Sequence, residues 1–363
     1  MPPTTSRTAK AARAQAPASE MLALYRQMVG IRRFEERAAR AYTEARVGGY
    51  CHLNLGEEAT VAGLMSAVRP DDYVFTNYRE HGYALARGIA PERLMAELYG
   101  RSDGVSKGWG GSMHMFDANA RFMGGYGIVG GQIPLATGAA LAIDYRGGSE
   151  AVVCMMGDGT TNIGAFHESL NIAALWNLPV VYVVVNNGLG MGTTVEMSSA
   201  EPELHRRAAS YRMASACVDG NDPLAVRDAA RVALDSARAG KPYLLETRSG
   251  RLKGHSVVDP ARYRTREEAA AIRDADPLAA FSLRLRDEGV LTDEAAAEID
   301  EAAIAAATAS ADFAEASPHP DVASLFDYTY ATPVPNDSRR LPGQALFPAA
   351  PRPAAHPSEV VHA

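Results

Sequence analysis

Two short apolar runs, residues 151–156 and 180–185, flank a segment of helical periodicity, and each run ends in a polar turn. The intervening residues 162–176 place Ile163, Phe166, Leu170 and Ala174 on one face, the spacing of an amphipathic helix. Valine-rich runs of this length read as strands buried on both faces. Two such strands joined through a helix lie parallel and bring their outgoing turns to the same edge of the sheet. In open parallel sheets that edge is where ligands bind.

The alternation continues with a helix expected at 222–239 and a strand at 242–247. It is preceded by helical patterns at 20–46, 57–67 and 91–99, the first stopped by Gly48-Gly49. Beyond Thr265 the pattern is helical, with a long Ala/Glu helix near 292–314. The expected fold class is α/β: a doubly wound, mainly parallel sheet with helices on both faces and a helical C-terminal part.

The first turn is Gly157-Asp158-Gly159. Glycines let the backbone approach a phosphate, and a following helix aims free N–H groups at an anion. Asp158 adds a hard oxygen ligand. Taken alone the motif is also an ordinary Asp-Gly turn. After 26 further residues comes Asn186-Asn187, where a side-chain carbonyl is a second hard ligand and Asn-Gly is again a common turn. Jointly, a carboxylate and an amide oxygen on one sheet edge suit Mg²⁺ bridging protein and diphosphate oxygens, with a carbonyl in Gly188-Leu189-Gly190 as a third donor.

Residues 104–131 hold nine glycines and are too long for a simple connector. The three cysteines, Cys51, Cys154 and Cys217, form neither a CxxC nor a disulfide framework, which suits a reducing cytosol, and Cys154 is expected in the core. A net charge of −7 without a basic stripe argues against nucleic acid, and no apolar run reaches the roughly 20 residues that span a bilayer. Residues 1–19 are expected to be a disordered extension, with a transit peptide as the alternative, and 336–363 a disordered Pro/Ala-rich tail. The domain between them would cover 20–335. The expected location is cytoplasmic, the alternative the mitochondrial matrix.

From about Glu20 to Asp327 the chain resembles the alpha subunit of the thiamin diphosphate-dependent first component of 2-oxo acid dehydrogenase complexes, of pyruvate dehydrogenase type. The resemblance rests on Gly157-Asp158-Gly159 with Asn186-Asn187, and on Tyr78-Arg79-Glu80-His81-Gly82, Lys107-Gly108-Trp109-Gly110-Gly111, Gly127-Ile128-Val129-Gly130, Gly190-Met191-Gly192-Thr193 and Tyr263-Arg264-Thr265-Arg266. It implies the thiamin diphosphate-binding fold. It implies that Asp158, Asn187 and the carbonyl of Leu189 hold magnesium. Leu189 replaces a more usual aromatic, but only its carbonyl is needed.

The same resemblance assigns Tyr78 and Arg79 to the diphosphate, Gly159 and Thr160 to backbone contacts with the phosphates, and Gly127 and Val129 to the aminopyrimidine. Of nine histidines, His255 and then His52 match positions lining the family's active-site channel, with His255 also touching cofactor. A neutral-range side chain suits proton donation there. His81 and His114 are second-tier candidates. Ser256 sits where some members carry a regulatory phosphate.

The implied reaction decarboxylates a 2-oxo acid and passes the acyl group to a lipoyl-bearing dihydrolipoamide acyltransferase. The glutamate facing the aminopyrimidine comes, in this family, from a separate beta subunit, so an α2β2 heterotetramer is implied, with little activity in the chain alone. Acetoin and branched-chain 2-oxo acids are rival substrates. A nicotinamide dehydrogenase lacks its GxGxxG here, and a non-catalytic scaffold subunit has no use for the full set of ligands.

Overall fold

The computed structural model describes residues 16–325, 327 and 328. The expected tail at 336–363, the domain end at 335 and most of the expected N-terminal extension lie outside the described residues. Ala18 already begins the first helix, Ala18–Thr43, two residues earlier than expected. Described residues up to Pro320 belong to one compact unit. The second unit begins at Asp321 and contributes a short 3-10 turn, Val322–Ser324.

The strands are β1 (Tyr73–Asn77), β2 (Phe122–Tyr126), β3 (Val152–Gly157), β4 (Val180–Asn186), β5 (Leu189–Gly190), β6 (Thr193–Thr194), β7 (Ala214–Asp219) and β8 (Tyr243–Arg248). Six of them form one parallel sheet in the order β2-β1-β3-β4-β8-β7, and β5 and β6 make a small antiparallel ribbon. The α/β doubly wound fold is as expected, helical C-terminal part included.

The centre of the sheet shows why these runs are strands. All seven residues of β4 are buried. Val181, Val183 and Val185 face one core, with Val226, Ala230 and Leu234 of helix Pro223–Arg238. Val180, Tyr182 and Val184 face the other, with Ile133 and Ala140 of helix Gln132–Arg146 and Phe166 and Leu170 of helix Gly164–Trp176. The two-residue alternation of a strand thus serves two cores at once. Each such side chain contributes about 1.5–3 kcal/mol on burial, and this platform carries the loops of the site.

Five strands, β1, β2, β5, β6 and β7, and the helices His81–Ala86, Gln132–Arg146 and Val195–Ser198 were not read from the sequence. β2 lies inside the glycine-rich segment and contains Gly124 and Gly125, which carry no strand signal. β7 is an edge strand without a buried run, β1 is five residues long, and helix Gln132–Arg146 is masked by its small residues. The turn after β3 also differs from expectation. A 3-10 turn, Asp158–Asn162, comes first, and the α-helix starts only at Gly164. The N–H groups next to Asp158 are therefore those of the 3-10 turn.

Candidate active site

The chain leaves β1 towards β2 on one side and leaves β3 towards β4 on the other. The crevice between β1 and β3 is therefore the topological switch point, where diverging connections leave room for a ligand. A cavity of about 650 Å³ opens there, walled by the loops after β1, β2, β3, β4 and β8 and by the segment near His52. Tyr78, Arg79, Asp158, Gly159 and Thr160 line it. So do Gly127, Val129, Asn187 and Leu189, and both first-choice histidines, His52 and His255. Residues more than 200 positions apart in sequence thus meet in one chamber.

At one end Asp158 is buried, its carboxylate accepting from backbone N–H groups of its own turn; burial pushes its acid above the usual range. Asn187 Nδ2 donates to Glu57 Oε1 at 2.9 Å. That bond fixes the amide orientation, because a carboxylate only accepts. Asn187 Oδ1 is then buried without a hydrogen-bond partner. An orphaned amide oxygen beside a desolvated carboxylate is a donor set that a hard cation satisfies. Its neighbour Asn186 does other work. Asn186 Nδ2 donates to Glu246 at 2.8 Å and Oδ1 accepts from the Gly188 N–H at 2.9 Å, which ties β4 to β8 and shapes the turn.

Two guanidinium groups line the same cavity. Arg79 donates to the carbonyls of Leu53 and, at 2.9 Å, of His255, and lies 3.8 Å from Glu57. Arg251 donates to His255 Nδ1 at 3.1 Å and to the Met191 carbonyl at 3.3 Å, and its buried Nε has no partner. Sequence reasoning missed Arg251 and Glu57. The only signal for Arg251 was its place three residues after β8, and the position of β8 beside β4 is a tertiary fact.

His52, Tyr78 and His255 form an aromatic cluster, with ring centroids 4.5 Å apart for His52–Tyr78, 5.0 Å for His52–His255 and 5.7 Å for Tyr78–His255. Burial, then the Arg79 charge, pushes His52 down to about 3 and His255 down to about 4. Both rings are therefore neutral at neutral pH. Donation from Arg251 to Nδ1 assigns His255 its proton on Nε2. His52 Nδ1 is buried without a partner.

The second-tier histidines have structural duties. His81 is fully buried, with Nδ1 2.9 Å from Glu35 and Nε2 2.9 Å from the Ser112 hydroxyl. His114 Nδ1 lies 3.0 Å from the Gly125 carbonyl. Ser256 lines the cavity and is buried.

The glycine-rich segment is organised by a carboxylate. Glu97, fully buried, accepts the N–H groups of Ser106 and Gly108 at 2.7 and 2.9 Å on one oxygen, and those of Gly110 and Gly111 at 2.7 and 3.1 Å on the other. A Cβ on Gly110 would lie 1.9 Å from the His114 carbonyl oxygen, so glycine is required by close approach.

Residues 26–323 match the family model described as dehydrogenase E1 component. The chain is 45% identical to the pyruvate dehydrogenase E1 component subunit alpha of Rhizobium meliloti over 307 residues, 84% of this chain and 88% of that one. It is 45% identical to the Zymomonas mobilis subunit of the same name over 317 residues, 86% and 89% of the two chains. Against the human somatic mitochondrial form the identity is 40% over 321 residues, 88% of this chain and 81% of the human one. With its cavity at the switch point and this coverage, the chain belongs to the dehydrogenase E1 component family of thiamin diphosphate-dependent 2-oxo acid dehydrogenases.

Proposed function

We propose that this chain is the alpha subunit of an enzyme that decarboxylates pyruvate and transfers the acetyl group to the lipoyl group of a dihydrolipoamide acyltransferase. In this reaction pyruvate and the lipoyl disulfide give CO₂ and an acetyl thioester with one free thiol, so the disulfide is the two-electron acceptor. The observation that carries the reading is the buried, unpartnered Oδ1 of Asn187 in the chamber that Asp158 and Leu189 also line. Mg²⁺ held by Asp158, Asn187 and the Leu189 carbonyl would supply the missing bond and neutralise a diphosphate.

When bound, thiamin diphosphate supplies the nucleophilic carbon and the electron sink for decarboxylation. The residues of this chain hold and shield it. Tyr78, Arg79 and Arg251 would receive the diphosphate, Gly159 and Thr160 would donate backbone N–H groups to it, and Gly127 and Val129 would border the aminopyrimidine. Neutral His255 and His52 donate to or orient the substrate's carboxylate and keto oxygens, which protonated rings would bind as counter-ions instead.

The relatives are named alpha subunits, and a second chain completing the site is part of this reading. The cavity's carboxylates are Glu57, Asp158 and Asp259. Glu57 is held by Asn187, Asp158 is assigned to the metal, and Asp259 binds the His255 N–H and the Tyr263 hydroxyl. As the family resemblance implies, the glutamate facing the aminopyrimidine would come from a beta subunit, in an α2β2 assembly. Tyr50, Val129 and Met191 on the cavity wall are 63%, 49% and 64% exposed, as an apolar rim awaiting a cover would be. Leu135, Leu141 and Tyr145 on helix Gln132–Arg146, and Leu175 and Trp176 on helix Gly164–Trp176, add exposed apolar surface. No described helix is long and apolar enough to cross a membrane. We place the enzyme in the cytoplasm.

The test is reconstitution with the beta chain, thiamin diphosphate and Mg²⁺, with pyruvate, acetoin and branched-chain 2-oxo acids compared in one lipoyl-reduction assay. Pyruvate is expected to give the highest kcat/KM, and the chain alone negligible turnover. Preference for acetoin or a branched substrate overturns the substrate, and full turnover by the isolated chain overturns the shared site.

A further inference from the structure

Glu80 directly follows the Tyr78-Arg79 pair that lines the cavity, yet it is fully buried and does not line the cavity itself. Its Oε1 accepts the Met115 N–H at 2.8 Å, and its carboxyl group also accepts the N–H of Gly125. Its Oε2 is buried with no partner. The fit on Gly125 leaves no room for a side chain. A Cβ there would lie 2.2 Å from the Glu80 carboxyl carbon and 2.4 Å from both of its oxygens.

These contacts join two loops that serve different parts of the cavity. Gly125 is two residues before Gly127 and four before Val129, and its carbonyl also meets His114 Nδ1. The strands beneath are paired, with Asn77 opposite Tyr126, so the sheet sets only the spacing of the backbones. The Glu80 contacts add to this pairing a tie between the Tyr78-Arg79 loop and the strand that leads into Gly127–Val129. No cation among the described residues pairs with Glu80, and burial together with the nearby Glu97 charge pushes its acid well above the usual carboxylate range. An amide in its place keeps one carbonyl acceptor of the same shape.

We propose that Glu80 is a positioning residue that ties the aminopyrimidine side of the cavity to its diphosphate side through its contacts with Met115 and Gly125. The inference rests on reading the cavity as the thiamin diphosphate site. It is tested on the reconstituted tetramer by calorimetric titration with thiamin diphosphate and Mg²⁺, with hydrogen exchange over residues 104–131 and steady-state kinetics beside it. Glu80→Ala is expected to weaken cofactor binding about tenfold, the usual scale for losing buried hydrogen bonds, with kcat at saturating cofactor reduced far less. Glu80→Gln is expected to stay within about threefold of wild type in affinity and exchange, because the acceptor and the shape survive.

Gly125→Ala pushes a methyl group into the same carboxyl group. It should weaken binding like Glu80→Ala, and less so when combined with Glu80→Ala. Unchanged affinity in Glu80→Ala and Gly125→Ala overturns the coupling, and equal losses in Glu80→Gln and Glu80→Ala overturn the role of the retained acceptor oxygen. If Glu80→Ala does not assemble, Gly125→Ala and Glu80→Gln decide alone. Wild-type tetramer that binds no thiamin diphosphate refutes the reading of the cavity instead.

Discussion

The loops after β3 and β4 and the glycine-rich segment 104–131 both build walls of one cavity, but they are held by different forces. The first pair belongs to a single strand–helix–strand unit, and its geometry follows from packing Val, Met and Phe side chains on both sides of two central strands. The second is held by carboxylates from elsewhere in the chain, Glu97 gripping four N–H groups and Glu80 two. A local unit presents its ligands wherever it folds. A glycine-rich wall, with little side-chain area to bury, is specified only by polar partners that reach it.

Removing the proposed metal donor from the local unit should have the largest effect on binding. Asp158→Ala is expected to weaken cofactor and Mg²⁺ binding about a hundredfold, as loss of a metal-coordinating carboxylate does, while the melting temperature stays within a few degrees or rises, since a desolvated carboxylate is relieved. Titration calorimetry and a thermal scan check both; unchanged affinity would remove Asp158 from the metal site.

Arg251 tests the link from β8 to the cavity. Arg251→Met is expected to weaken binding about tenfold, the scale of one charge-assisted contact, and to raise the His255 titration, because the Arg251 charge now helps depress it. An NMR titration of the His255 ring that does not move would show the coupling to be absent.

The glycine-rich wall should fail differently. Glu97→Gln replaces one acceptor oxygen by a donor facing N–H groups. Amide exchange at residues 106–111 is expected to rise about tenfold, with the helix Gly164–Trp176 unaffected. Equal acceleration in both regions would erase the contrast drawn above.

The smallest effect concerns pH. His52 and His255, near 3 and 4 when folded, stand below their ordinary 6.5. The unfolded chain therefore takes up protons first as pH falls. The stability from keeping the two rings neutral is complete above about 6.5 and is lost progressively from there down towards 4. Ring proton shifts of both residues should stay flat between pH 8 and 5.5, and a midpoint near 6.5 for either contradicts the burial described here.

Much of this was legible in sequence because the relevant period is local. β3, β4, β8 and the helices between them came from apolar spacing, and Asp158 and Asn187 came from their places after strands. β2 and β7 were not legible, since one is built on glycines and the other lies at a partly exposed edge. Arg251 and Glu57 carried no distinguishing pattern, and Glu80 stood in a matching motif without a role, because a charged residue in a polar stretch looks like any solvated one until the fold buries it.

The sequence by itself determined the class of fold, the strand–helix–strand unit and the placing of Asp158 and the Asn186-Asn187 pair at its carboxyl edge, because strand and helix periodicities are written in neighbouring residues. The tertiary structure decided which of the two adjacent asparagines is free to bind, since only the contacts with Glu246 and Glu57 turn Asn186 away and leave Asn187 Oδ1 unpaired. It also decided that the candidate histidines are neutral and that Arg251 stands among them. Those outcomes depend on desolvation and on charges brought together from distant segments, and neither is encoded in any short window of residues.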